Sequence, residues 1–301
     1  MSLLVTGSIG LDTVETPHGS GQDILGGSSI YFSLAASLFC DVRLVGVVGD
    51  DFDLELLDPL HKKGIDTSGV EVRKGSKTFR WKARYDGAMN DAETLGVELN
   101  VLGERAAEIP ESFRDSAFVF LANSHPALQL GFAEQMRDAR LLVADTMNLW
   151  IENERDQLEQ TLRAVHGLLL NEAEARQLTN QANLVSAGRK ILELGPRFVI
   201  IKKGEHGSLL VSHDDLFVMP AFPTENTIDP TGCGDTFAGA MMGYLAGKDA
   251  IDTAALRSAM ARGSVVASFV IESLSIDALA AAGESDVAAR LDALKKMARF
   301  D

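Results

Sequence analysis

The stretch Asp229-Pro230-Thr231-Gly232-Cys233-Gly234-Asp235-Thr236-Phe237 places two glycines around one small residue and a carboxylate directly after them. Phe237, Ala240, Met241, Tyr244 and Leu245 then recur at helical spacing, so Asp235 falls at a helix N-terminus. Such a terminus offers unpaired N–H groups and a partial positive charge, which suit phosphate. The glycines let the backbone turn sharply and approach an anion closely. A carboxylate would itself be repelled by that anion. Asp235 therefore reads as a general base that takes the proton of a hydroxyl attacking phosphorus, with Gly232, Cys233 and Gly234 supplying N–H groups to the charge that builds there. The plain alternative is a helix-terminal acid held by the dipole.

The elements around this motif follow from the apolar pattern. Apolar runs at 3–5, 43–48, 117–121, 141–144, 167–170 and 198–201 alternate with helical patterns at 30–39, 52–63, 132–139, 154–165, 172–179 and 185–194. Near-continuous apolar strands alternating with helices predict an α/β fold, a mostly parallel sheet covered on both faces. Ligands of such sheets bind beyond the carboxyl ends of the strands, where Asp12, Asn123, Asp145, Asn171 and Lys203 fall. Residues 78–85 instead alternate apolar with charged, and Asp86-Gly87 is a turn signal. They predict a small antiparallel sheet outside the main layers, either a surface hairpin or a lid.

The composition sets bounds on partners. The chain has 301 residues, 46% of them hydrophobic, and a formal net charge of -15. That charge argues against a broad nucleic-acid or anionic-membrane surface, and leaves phosphate binding to backbone dipoles, a metal ion and a few lysines or arginines. Two widely spaced cysteines, Cys40 and Cys233, form neither a disulfide framework nor a zinc motif, which fits a reducing cytoplasmic setting. No leader pattern is visible, since the apolar run at 3–5 is too short and Gly7 breaks it, and no run is long enough to span a membrane.

Five segments in order resemble the ribokinase-like (PfkB) carbohydrate and nucleoside kinases: Gly7 to Asp12, Gly26-Gly27-Ser28, Asn171-Glu172-Ala173-Glu174, Lys203-Gly204-Glu205-His206-Gly207, and Asp229 to Phe237. The last is highly specific. The resemblance implies one open α/β kinase domain over 1–301, with lid segments near 13–24 and 70–100, ATP as donor and Mg2+ as cofactor. It implies Asp12, Gly26 and Gly27 on the substrate side, and Asn171, Glu174, Lys203, Gly204, Gly207 and Thr231 on the nucleotide side. Glu174 would organise Mg2+ and its waters, and Asp229 would help bind a monovalent cation such as K+. Asn171 and Glu174 also have the spacing of a helix capping box, and both roles are compatible.

Three departures from the family pattern matter. Cys233 stands where alanine is usual, and a cysteine at a helix N-terminus can be reactive. Lys202 stands where threonine is usual; a lysine near the phosphates would help an acidic protein hold ATP. Tyr31 stands where sugar-specific members carry asparagine, so its ring either stacks on a flat substrate or packs its helix. The expectation is an ATP-dependent kinase of a hydroxyl on a sugar or related polyol. The alternatives are a nucleoside or inositol kinase of the same family, or a non-catalytic ligand-binding member. Exposed lid strands would suit a homodimer.

Overall fold

The computed structural model describes residues 1–87, 89–90 and 92–299. Among the described residues thirteen strands form two sheets: β1 (Leu3–Thr6), β2 (Gly10–Thr16), β3 (Gly19–Gly26), β4 (Val42–Gly49), β5 (Asp66–Arg73), β6 (Phe79–Tyr85), β7 (Ala92–Glu98), β8 (Phe118–Leu121), β9 (Leu141–Asp145), β10 (Gly167–Asn171), β11 (Phe198–Lys202), β12 (Ser208–Ser212) and β13 (Leu216–Met219). Nine build the main sheet in the order β13-β12-β11-β10-β9-β8-β1-β4-β5. Pairing is parallel from β5 through to β11, and β12 and β13 are added antiparallel. The expected open α/β sheet is therefore present.

Alternate residues of each central strand enter opposite cores, as the two-residue period of a strand requires. Leu3, Val5, Phe118 and Phe120 join the core that includes the helices Ser28–Ala36, Cys233–Lys248 and Thr253–Val270. Leu4, Val119 and Leu121 join the other, beneath the helices Pro126–Gln135, Arg155–Ala164 and Leu184–Leu192. The strand order turns at β1 and β8, so the crevice beyond their carboxyl ends is where this topology binds ligands.

Ser28–Ala36 and Cys233–Lys248 lie in close contact because Gly239 has no side chain. A Cβ there would sit 2.2 Å from the carbonyl oxygen of Phe32. The first helix follows the paired glycines and the second follows the Gly232 turn, so their contact fixes one relative to the other.

The second sheet has the order β3-β2-β6-β7, with β2 and β6 parallel and the other pairs antiparallel. It corrects the expected lid bounds. Residues 66–73 belong to the main sheet as β5, so the later lid segment begins at Phe79; the earlier one, 13–24, lies inside the hairpin Gly10–Gly26. Asp51 ties the sheet down, accepting from the Thr78 N–H and hydroxyl, both at 2.7 Å, and from Arg80 at 3.3 Å. β7 is an edge strand whose described residues are all exposed.

Other boundaries moved for local reasons. The 52–63 pattern is a short 3-10 turn, Leu54–Leu57, then a helix Asp58–Lys62; Pro59 sits in its first turn, where its missing N–H costs nothing. The helix expected at 132–139 is Pro126–Gln135, opened by Pro126 and capped by the His125 side chain on the Ala127 N–H. A further helix, Asn148–Asn153, had too little apolar periodicity to read. The turn at 86–87 falls as expected.

Candidate functional site

The substrate side begins where β1 ends. Ser8 and Ser28 stitch the paired glycines to that end: the Ser28 N–H donates to Ser8 Oγ at 2.9 Å, and the Ser8 N–H to Ser28 Oγ at 3.2 Å. The Ser29 hydroxyl donates to the Ser8 carbonyl at 2.7 Å. Asp12, on β2, folds against this stitch. A Cβ at Gly26 would lie 1.9 Å from Asp12 Oδ2, so any side chain there would expel the carboxylate. Asp12 is 2% exposed, and its Oδ1 has no hydrogen-bond partner among the described residues. Burial, reinforced by the charge of Asp229 and opposed by the Gly27 N–H, pushes its pKa up to about 7. A buried acceptor with no partner is costly unless a ligand satisfies it.

Gly232 takes a left-handed conformation, φ 75°, and the helix Cys233–Lys248 starts directly after it. A Cβ at Gly232 would meet the Tyr31 ring at 2.4 Å. Tyr31 is thus the floor beneath the turn. At 2% exposure its ring packs against the turn, the arrangement of the packing alternative. Asp235 lies in the first turn of the helix, where the dipole should favour its charged form. Desolvation outweighs that: together with the charge of Asp145, and against Lys202, it pushes Asp235 up to about 8. Loss of water around the partly buried Cys233 thiol, with Asp229 and Asp235 nearby, pushes it up to about 12, opposite to the shift that would make it reactive.

A lysine stands among the carboxylates. Lys202, the last residue of β11, places Nζ 3.3 Å from Asp145 Oδ2, at the end of β9. It also interacts with Glu174 and Asp235, and these negative charges hold its proton more tightly than usual despite burial. Glu174 and Asn171 form a reciprocal capping box, with Glu174 Oε2 accepting from the Asn171 N–H at 2.7 Å and Asn171 Oδ1 from the Glu174 N–H at 2.8 Å. Burial pushes Glu174 up to about 7. Asn148, just beyond the end of β9, is exposed and accepts from the Leu149 N–H at 3.0 Å.

Lys203, Gly204 and Gly207 form a tight turn after β11, closed by the Lys203 N–H donating to the Gly207 carbonyl at 2.7 Å. The lid sheet reaches both turns. Tyr85, at the end of β6, accepts from the Thr231 hydroxyl at 3.3 Å, and Asn90 Oδ1 lies 3.4 Å from where a Cβ on Gly204 would be. Thr231 therefore faces the lid. Asp229, the expected cation ligand, accepts from the Thr231 N–H at 2.9 Å and the Ser275 N–H at 3.3 Å.

Sequence reasoning missed Tyr85 and Ser275, and it set Lys202 near the phosphates without its pairing to Asp145. Lys202 pairs with Asn171 across β10 and β11, a register that only the assembled sheet displays. Ser8 and Ser28 lay inside segments already singled out, yet their reciprocal bonding has no signature in spacing.

An open, mostly parallel sheet with a glycine turn at a helix N-terminus and a buried carboxylate at its crevice is an arrangement suited to a phosphorylated ligand. The particular group is settled by likeness: the chain belongs to the pfkB family of carbohydrate kinases, whose model matches residues 31–280. It is 32% identical to a cytidine kinase of Thermococcus kodakarensis over 254 residues, covering 82% of this chain and 88% of that one. A solved ribokinase of Arabidopsis thaliana, in complex with ribose and ATP, superposes with a TM-score of 0.79 at 18% identity over 96% of this chain and 98% of its own. A Burkholderia thailandensis nucleoside kinase, in complex with inosine, gives 0.79 at 20% identity over 97% and 98%. At such identities the two structures establish the fold. Family membership makes the chain a phosphotransferase of the sugar and nucleoside kinase kind. No helix among the described residues is long and apolar enough to cross a membrane.

Proposed function

We propose that this protein transfers the γ-phosphoryl group of ATP to a hydroxyl on a sugar or related polyol, in particular the ribose part of a nucleoside. The observation that carries the reading is the buried carboxylate of Asp12 and the half-buried one of Asp235, close enough that the charge of Asp12 acts on Asp235, on the two sides of the glycine turns. Asp12 Oδ1 accepts a substrate hydroxyl and fixes its sugar against Gly26 and Gly27. Asp235 accepts the proton of the attacking hydroxyl, and the N–H groups from Gly232 to Gly234 face the phosphoryl oxygens. Lys203, Gly204 and Gly207 border the nucleotide.

Mg2+ fits the residues present in one way. Among the described residues there is no cluster of three or more His, Cys, Asp or Glu side chains able to cage a metal. Mg2+ keeps its waters and prefers phosphate and carboxylate oxygens, so Glu174 and Asp145 would hold it largely through water beside the nucleotide. When bound it supplies charge neutralisation for the phosphates. A monovalent cation at Asp229 would have to share oxygens already engaged by two N–H groups.

The nucleoside reading rests on the cytidine kinase relative; Tyr31, being buried, lends it nothing. Coupled measurement of ADP release across cytidine, uridine, inosine, ribose and inositol tests both levels. Turnover of nucleosides but not ribose is expected. Turnover of ribose alone would return the substrate to the free sugars. Binding without turnover across the panel would make the protein a non-catalytic ligand binder, a reading that an intact Asp235 and glycine turn argue against. A cytoplasmic setting and pairing of two copies through β7 belong to the same proposal; a monomer mass by light scattering at micromolar protein would remove the second.

A further inference from the structure

The phosphotransfer reading uses the glycine turn and Asp235 but leaves Lys202 idle. Its position is specific. Nζ lies 3.0 Å from where a Cβ on Gly234 would be, so the ammonium rests against the turn that faces the anion. Its only hydrogen bond among the described contacts runs to Asp145, at 3.3 Å, long for a charge-assisted pair. The Lys202 side chain is 18% exposed and that of Asp145 6%, so the pair keeps one opening, on the lysine's side. A lysine that merely neutralised Asp145 would have no need to rest on Gly234.

We propose that Lys202 is a phosphoryl-contacting residue whose ammonium moves from Asp145 to the γ-phosphoryl oxygens when the triphosphate binds, an inference that rests on the phosphotransfer reading. In the transfer step the acceptor oxygen loses its proton to Asp235 and bonds to phosphorus. The bond from phosphorus to the bridging oxygen breaks, and its electron pair leaves on the β-phosphate of ADP. Lys202 neither gains nor loses a proton; it lies beside the equatorial oxygens throughout and offsets their charge. The protein thus carries on a strand end a cation of its own, next to the helix terminus. The same ammonium that interacts with three carboxylates is set to meet a terminal phosphate, so its contact discriminates ATP from ADP.

The test compares wild type, Lys202→Met and Lys202→Arg. Calorimetry reads the affinity for the imido analogue of ATP and for ADP, and steady-state kinetics the acceptor turned over best. For Lys202→Met we expect analogue affinity to fall at least about tenfold, the low end for a lost charge-assisted hydrogen bond, and ADP affinity to change by less than about threefold. Its kcat falls while the acceptor KM stays within about threefold, as expected when an interaction of the transition state is lost. Lys202→Arg restores the preference for the triphosphate. Equal losses for analogue and ADP, or no loss for either, would overturn the proposal and leave Lys202 a support for Asp145. Should Lys202→Met not fold, Lys202→Gln keeps a neutral polar side chain beside Asp145, and the same ratio of affinities decides. A wild type that neither binds the analogue nor turns over any acceptor sinks the kinase reading itself, an outcome distinct from a working kinase indifferent to Lys202.

Discussion

Asp235 is held at a cost. The helix terminus favours its anion, yet desolvation and Asp145 push it up to about 8. Replacing it with Asn removes a repelled carboxylate and keeps the shape. Asp235→Asn is expected to retain the fold by circular dichroism and to lose at least about two orders of magnitude in kcat, the low end for a missing general base. Near-normal turnover in that variant would end its assignment as base. Cys233 points the other way. With its thiol pushed up to about 12 it carries almost no thiolate at neutral pH, so intact-mass measurement after iodoacetamide should show no adduct at Cys233 in the native state and a full one in denaturant. Rapid native labelling blocked by ATP would reverse that. At this scale the sequence was legible where chemistry is local, as from Gly232 to Asp235. It was mute about Tyr31, because whether a ring stacks on a ligand or supports a turn depends on a partner 201 positions away, Gly232.

Elements transmit those positions. The contact of Ser28–Ala36 with Cys233–Lys248 sets the paired glycines against the Gly232 turn, and it closes over the backbone of Phe32. Gly239→Ala would insert a methyl group where the clearance is 2.2 Å to a carbonyl oxygen. Overpacking of this kind costs about 1–3 kcal/mol, and here it should also part the two halves of the site. Lower stability in urea together with a raised acceptor KM is the expected result; loss of stability with an unchanged KM would show that the helix contact does not set the site. The alternation of apolar strands and helices was readable because the main-sheet strands between the two edges, β5 and β13, are buried on both faces. β5 was assigned to the lid because half-exposed edge strands and lid strands share one pattern, and only pairing with β4 separates them. Asn148–Asn153 escaped for a different reason: its apolar residues Leu149, Trp150 and Ile151 are adjacent in the chain rather than spaced as a helical stripe.

Across the whole molecule the crevice gathers carboxylates that prefer their protons. Asp12 and Glu174 rise to about 7 and Asp235 to about 8, from 3.8, 4.5 and 3.8. Each binds its proton more tightly folded than unfolded, so the stability it contributes is complete below the unfolded value and is lost as pH climbs through the folded one. Without nucleotide and Mg2+, Asp235→Asn should therefore melt above wild type by a margin that widens from about pH 5 to about pH 8.5, by at least about 2 °C for a chain of this size. A margin that is flat or narrows with pH, read by calorimetry, would contradict the buried-acid picture. The hairpin of β6 and β7 bears on something else. Through Tyr85 it touches Thr231 beside the Gly232 turn, and through Asn90 it approaches the turn from Lys203 to Gly207. One strip of chain thus stands across two doorways. If the proposed kinase reading holds, traffic through either would need the same strip to lift, and the two departing products would share a single exit clock.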